Sequence, residues 1–305
     1  MQPELTLFML VTNRDCVIAN YAVHSYRKLW DLYNSFVLEI YANCLTPENK
    51  RRYFPKWKRL SYVSIRDNES ERQVVRRKGA HFSTPEGLQL RFAESCEHYD
   101  EVWTREHQLA KTPFWATVDA DFEVLEPHFL PRMMDMVRGD TSIAGVSTDY
   151  SPTNDNYFDT YSNAIIRLNE RWHTWCCIYR QETGRYLRDV SSFYFERILP
   201  DEKRDAFDSY ANVQQHLLQS GYRMAVLPSE FQRQFIHYGA FSKNRSITRG
   251  NVHLYRRLAI AAQRGLVSPA VSYRLNAFTS RASRRVFNSL FSKAVAERHV
   301  FDFDD

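Results

Sequence analysis

The chain has 305 residues, 44% of them apolar, 14% aromatic and 25% charged, with a formal net charge of +5. These proportions exclude disordered, collagen-like and coiled-coil classes, and the length suits one large buried core or two modest ones. With 9 Gly and 11 Pro there is little low-complexity linker, and no apolar run approaches the roughly 20 residues of a membrane-spanning helix.

Leu5 to Val11 is a continuous apolar run closing on Thr12-Asn13-Arg14-Asp15, the pattern of a buried strand entering a polar turn. It has no basic leader or small-residue cleavage site, so no signal peptide is expected there. Helical spacing follows from Ala19 to Leu32, then a strand at Phe36 to Ala42, a basic helix at Pro47 to Trp57 and a strand at Leu60 to Ile65. Residues 68–95 are charged, with helix expected after Pro85. Tyr99 to Lys111 reads as a helix leading into an apolar strand, Phe114 to Val118. Ser151 to Asp189 is aromatic and polar without a clear period, Ala211 to Leu218 is helical in pattern, and Tyr222 to Leu227 is strand-like. Alternating strands and helices of this kind predict an α/β protein with a mostly parallel sheet flanked by helices.

Five cysteines, an odd number with no Cys-x-x-Cys spacing, are expected as reduced, buried thiols rather than a zinc site or disulfide framework. The charge is uneven. From Arg249 to Arg298 there are ten basic residues against one acid, Glu297, while residues 1–248 are close to neutral. The bases alternate with apolar residues such as Leu254, Leu258, Tyr273 and Leu290, which predicts amphipathic helices with a cationic face. Such a face suits an anionic membrane surface, each Lys or Arg contributing about 1 kcal/mol; packing on the body with solvated charges is the plain alternative. No recognition motif accompanies the charge, so nucleic acid is not an expected partner.

The chemical signal is Asp119-Ala120-Asp121, placed where an apolar strand stops. In open α/β sheets ligands bind outside the carboxyl ends of the strands. Two carboxylates one residue apart on a turn can reach one hard cation, Mn²⁺ or Mg²⁺, of the kind that bridges phosphates. Farther on, Trp172 and Trp175 in Arg171-Trp172-His173-Thr174-Trp175 offer aromatic faces that suit a ring with apolar faces and hydroxyl edges, though core packing is the commoner use of such residues. Asp155 and Asp189 are further acidic candidates without a supporting pattern.

Phe114 to Pro127 resembles the Asp-x-Asp segment of the GT-A fold glycosyltransferases that use nucleotide-diphosphate sugars. The resemblance runs in order over residues 5–245 and implies a catalytic domain at 1–248 with a basic helical extension at 249–305. It implies Mn²⁺ or Mg²⁺ held by Asp119, Asp121 and His237, the last in His237-Tyr238-Gly239, with Lys243 nearby as a point charge for phosphate. Thr12 and Asn13 resemble the family's nucleotide-binding turn, and His107 stands on a helix that contacts the donor in such enzymes. The donor implied is a nucleotide-diphosphate sugar of UDP type, the acceptor a saccharide, a lipid-linked saccharide or a protein. The location implied is cytoplasmic, peripheral on the inner membrane face. Asp208, in Phe207-Asp208-Ser209, resembles the acceptor-side carboxylate and is the candidate base, but the Glu-Asp pair of many inverting members is absent. Asp is equally a preferred helix N-cap at that point.

Two other functions fit parts of the same sequence. Asp119 as the nucleophile of a phosphohydrolase would want Thr or Val where Glu123 stands. A non-enzymatic protein using the basic segment to bind RNA or membrane would need only residues 249–305.

Overall fold

Strand β1 (Leu5–Val11) is buried along its length, as its unbroken apolar sequence requires of a strand covered on both faces. The computed structural model describes residues 2–13, 15–67, 81–83, 89–91, 99–151, 156–159, 164–167, 171–187, 197–198, 204–205, 210–238 and 252–264. After β1 come α1 (Cys16–Ser25), α2 (Arg27–Leu32), β2 (Phe36–Ala42), α3 (Pro47–Trp57) and β3 (Val63–Asp67). Then follow α4 (Tyr99–Leu109), β4 (Phe114–Val118), β5 (Phe122–Val124), α5 (Phe129–Gly139), β6 (Ile143–Ser147) and β7 (Cys176–Arg180). The last are α6 (Ala211–Gln219), β8 (Arg223–Val226), β9 (Phe235–His237) and α7 (Val252–Gln263).

Seven strands form the main sheet in the order β8-β6-β7-β4-β1-β2-β3. All neighbours pair in parallel except β7, which runs antiparallel between β4 and β6. Period-two alternation divides the core into two layers. Leu7, Met9 and Val11 of β1 and Ala116 and Val118 of β4 join one cluster with Leu38, Ile40 and Trp57. Phe8 and Trp115 point the other way, into a cluster with Tyr41, Trp103, Cys177, Tyr179 and Tyr210. The expected mostly parallel α/β sheet flanked by helices is what the chain forms.

The parallel strands β1, β4 and β6 end on one edge, at Val11, Val118 and Ser147. Because β7 is antiparallel, the residues before its start, Trp172 to Trp175, lie along that same edge. Thus four separate stretches of sequence meet there.

Several boundaries differ from the sequence pattern. The helical stretch from Ala19 to Leu32 is two helices, broken at Tyr26. The third strand starts at Val63 rather than Leu60, because Leu60 and Val63 N–H close turns on the carbonyls of Trp57 and Leu60. Gln89–Arg91 is strand, paired with His81–Ser83, where helix was expected after Pro85. Inside the stretch without a period lies β7, and its Cys-Cys-Ile-Tyr-Arg sequence shows no alternation because both faces are covered. Cys16, Cys176 and Cys177 are buried free thiols as expected, but Cys44 is disulfide-bonded, a pairing that spacing along the chain did not indicate.

Of the basic C-terminal segment, residues 252–264 are described. α7 packs on β9: Gln263 Nε2 donates to the carbonyls of Gln232 at 2.7 Å and Phe235 at 3.2 Å. Among the described residues no helix is long and apolar enough to cross a membrane.

Candidate metal centre

At Val118 the chain leaves β4 and turns at once. The Asp119 N–H donates to the Trp175 carbonyl at 2.9 Å, and the Asp119 carbonyl accepts from Phe122 N–H at 3.1 Å, closing a tight turn around Ala120 and Asp121. Phe122 then begins β5, which pairs antiparallel with β9 in a ladder of its own, Phe122 opposite His237. Tyr238 N–H extends the ladder to the Asp121 carbonyl at 3.2 Å.

This geometry carries His237 to the two aspartates. Its Nε2 lies 3.1 Å from Asp119 Oδ2 and 3.2 Å from Asp121 Oδ1, and the three ligand atoms are all within 4.8 Å of one another. Burial by itself would lower the His237 pKa, but the charges and hydrogen bonds of Asp121 and Asp119 outweigh it and raise the group to about 10. The protonated ring offsets the charge of the two neighbouring carboxylates, and a divalent cation bound there would displace that proton. Two carboxylate oxygens and one imidazole nitrogen converging on a point are a donor set for a divalent cation.

The imidazole plane is held by aromatic stacking. Trp175 lies against His237 with ring centroids 4.2 Å apart and 20° between planes, and His173 stacks on the far face of Trp175 at 4.2 Å and 22°. Asp149 lies beyond, its Oδ2 3.9 Å from His173 Nε2.

At the end of β1, Thr12 donates from N–H and Oγ1 to Asp15 Oδ2, at 3.2 and 2.6 Å. Asn13 ties this turn to the β2–α3 connection: Nδ2 donates to the Cys44 carbonyl at 2.7 Å, and Oδ1 accepts from Thr46 N–H at 2.7 Å and Asn49 Nδ2 at 3.1 Å. Cys44 takes a left-handed backbone, φ 61°, at the residue whose carbonyl Asn13 holds. Asp15 is buried, and its carboxyl is pushed up to about 6, first by burial and then by the charges of Asp121 and Asp119.

Thus Asp119, Asp121, His237 and Trp175 meet, with Thr12 and Asn13 on the same sheet edge. His107 does not join them. It is fully buried in the second core layer, stacked on Trp115 at 5.0 Å, with Nδ1 against the Tyr210 hydroxyl at 2.8 Å and Nε2 against the Arg180 carbonyl at 3.1 Å. Trp172 is likewise core, packed on Tyr150 at 5.0 Å. Asp208, Lys243, Asp155 and Asp189 lie outside the described residues.

Sequence reasoning passed over four residues. Asp15 was visible only as part of a polar turn, although its spacing from Thr12 is that of a side-chain-closed turn. Glu123, Tyr238 and Arg256 carried no signal, since 115 and 133 positions separate Glu123 from its partners.

No protein-family model matches the chain, and no curated protein matches it. Among solved structures it is similar to the bifunctional glycosyltransferase WbbM, at 11% identity over 75% of this chain with a TM-score of 0.46, and it spans 40% of that protein. It is also similar to a mannosyltransferase from Pyrobaculum calidifontis in complex with GDP-Man and Mn²⁺, at 13% identity, TM-score 0.43, covering 100% of this chain and 89% of the other. A third is mouse xyloside xylosyltransferase 1, at 11% identity, TM-score 0.47, covering 79% and 99%. Likeness at this level assigns no activity. What the chain itself forms is a mostly parallel α/β sheet with Asp119, Asp121 and His237 meeting at its carboxyl edge.

Proposed function

We propose that the chain is a metal-dependent glycosyltransferase that moves a sugar from a nucleotide-diphosphate donor to a saccharide, lipid-linked or protein acceptor. The observation that carries this reading is the convergence of Asp119, Asp121 and His237 where the parallel strands end. A divalent cation bound there supplies Lewis-acid stabilisation of the charge that builds on a departing diphosphate.

The chain's own residues have separable tasks. Asp119 and Asp121 present carboxylate oxygens, the first about a quarter exposed and the second nearly buried, so the open side of the site faces Asp119. His237 offers one nitrogen, its plane held by Trp175. Thr12 and Asn13 shape the neighbouring turn for the nucleotide, here proposed as UDP, and Lys243 is proposed for its phosphates. Trp175 is proposed to border the acceptor side, where Asp208 is proposed to take the acceptor's proton. The basic segment from Arg249 is proposed to bring the enzyme to an anionic, cytoplasmic membrane face, where lipid-linked acceptors are found.

Thermal shift with UDP, GDP, CDP and dTDP, each with and without Mn²⁺, tests the donor side, with the largest Mn²⁺-dependent shift expected for UDP. Transfer or hydrolysis of a matching nucleotide sugar should fall at least about 100-fold in Asp121→Ala, as loss of an electrostatic contributor to the transition state does. Absence of Mn²⁺-dependent nucleotide binding across the panel would overturn the proposal.

A further inference from the structure

The strand that follows the aspartate turn carries a carboxylate the metal site does not use. Glu123 is 2% exposed, and a buried carboxylate must be matched by hydrogen bonds and opposite charge. Its Oε2 accepts from Tyr238 Oη at 2.7 Å and from Arg256 Nε at 2.7 Å, and Arg256 Nη2 bonds Oε1. The guanidinium grips both carboxylate oxygens, the bidentate geometry that Lys cannot reproduce. Its far side lies over the Tyr21 ring of α1, 4.6 Å from the centroid.

Arg256 belongs to α7, which opens the basic C-terminal segment, whereas Glu123 and Tyr238 flank the metal ligands. Glu123 is two residues after Asp121, and Tyr238 is one after His237. In the β5–β9 ladder Glu123 pairs with Ile236, between Phe122–His237 and Val124–Phe235. Two short paired strands are marginal in water without outside support. α1 and α2 supply part of it: Ser25 Oγ accepts from Val124 N–H at 2.9 Å, and Lys28 Nζ donates to the Val124 and Leu125 carbonyls at 3.2 and 2.9 Å. α7 grips the ladder as well, at two points seven residues apart along the chain, Arg256 on Glu123 and Gln263 on the Gln232 and Phe235 carbonyls.

We infer that α7 is a working part of the metal site: Arg256, through Glu123 and Tyr238, positions the ladder that holds His237 against Asp119 and Asp121. Arg256 touches no reacting atom, so it is a positioning residue. The inference rests on the metal-site reading above and adds that the C-terminal segment helps set metal affinity.

The test is titration of the full-length chain with Mn²⁺ alone, followed by electron paramagnetic resonance, beside the melting temperature of the same protein without metal. Wild type should bind one Mn²⁺ and Asp121→Ala should not; failure there removes the metal site itself and is distinguishable from failure of the positioning role. Arg256→Leu is expected to raise the Mn²⁺ dissociation constant about tenfold, the usual range for loss of an outer partner. Arg256→Lys, keeping the charge but not the fork, should fall between wild type and Arg256→Leu. In Glu123→Gln/Arg256→Leu the loss should be no greater than in Arg256→Leu alone, because both act through one contact. A purely structural role would lower the melting temperature while folded protein bound Mn²⁺ as wild type does. That result for Arg256→Leu, or for Arg256→Lys should the leucine variant not fold, overturns the inference.

Discussion

Trp175 and His237, 62 positions apart in the chain, lie face to face with ring centroids 4.2 Å apart. One residue emerges from the start of the antiparallel strand β7 and the other ends β9, so the stack joins the main sheet to the separate ladder. Aromatic pairs of this kind contribute about 0.5–1.5 kcal/mol beyond simple burial. Trp175→Leu should therefore weaken Mn²⁺ binding by about 2- to 10-fold, while Trp175→Phe retains most of it. Isothermal titration of the two variants checks this, and equal affinity in Trp175→Leu would show that the stack does not orient the imidazole.

The buried His107 predicts how the fold responds to acid. Burial lowers its pKa to about 4, with the Arg180 carbonyl opposing that shift. Folded protein therefore binds fewer protons than unfolded protein between the two pKa values. The stability this group contributes is complete above the unfolded value near 6.5 and is lost as pH falls from there toward 4, by about 3 kcal/mol in all. Urea denaturation of wild type and His107→Gln across pH 4–7 should give curves that converge as pH falls, since the variant lacks this titration. Parallel curves would place the acid sensitivity elsewhere.

Gly145 in β6 marks a place where two strands come too close for a side chain. An added Cβ would stand 2.7 Å from the Ile178 carbonyl oxygen of β7 and 2.9 Å from Tyr179 Cδ1. The first contact is with backbone in the middle of the sheet, which cannot swing aside. Gly145→Ala should cost about 1–3 kcal/mol, the usual range for overpacking, measured by chemical denaturation.

Asn13 engages three partners with its amide, Cys44 and Thr46 in the β2–α3 connection and Asn49 in α3. Asn13→Ala would leave the Cys44 carbonyl and Thr46 N–H without it, a loss of about 1–2 kcal/mol from hydrogen bonding. If that turn receives the nucleotide, the Michaelis constant for the donor should rise more than the turnover number falls. Equal kinetics in a folded Asn13→Ala protein would remove the turn from the donor site.

Much of the sheet and half of the site were legible along the chain. β1, β2, α3 and β4 match the expected boundaries because each is set by local causes: mainly apolar runs for the strands, and for α3 the Thr46 cap with Pro47 after it. Asp119 and Asp121 were visible for the same reason, a polar pair where an apolar run stops. The strand β7 was not, since a short stretch covered on both faces has no period to read.

Histidines show the boundary most clearly. The residues around His107 do not say that it will be buried against Trp115 and Tyr210 instead of reaching the strand tips, whereas His237 was marked beside the aspartates only through the resemblance. That depends on which strands become neighbours. Local sequence determined where strands stop and which polar groups wait at their tips. Only the tertiary structure placed Trp175 and Arg256 with His237 around the aspartate turn, because hydrogen bonds, stacking and charge act over a few ångströms and the chain brings those residues in from more than 50 positions away.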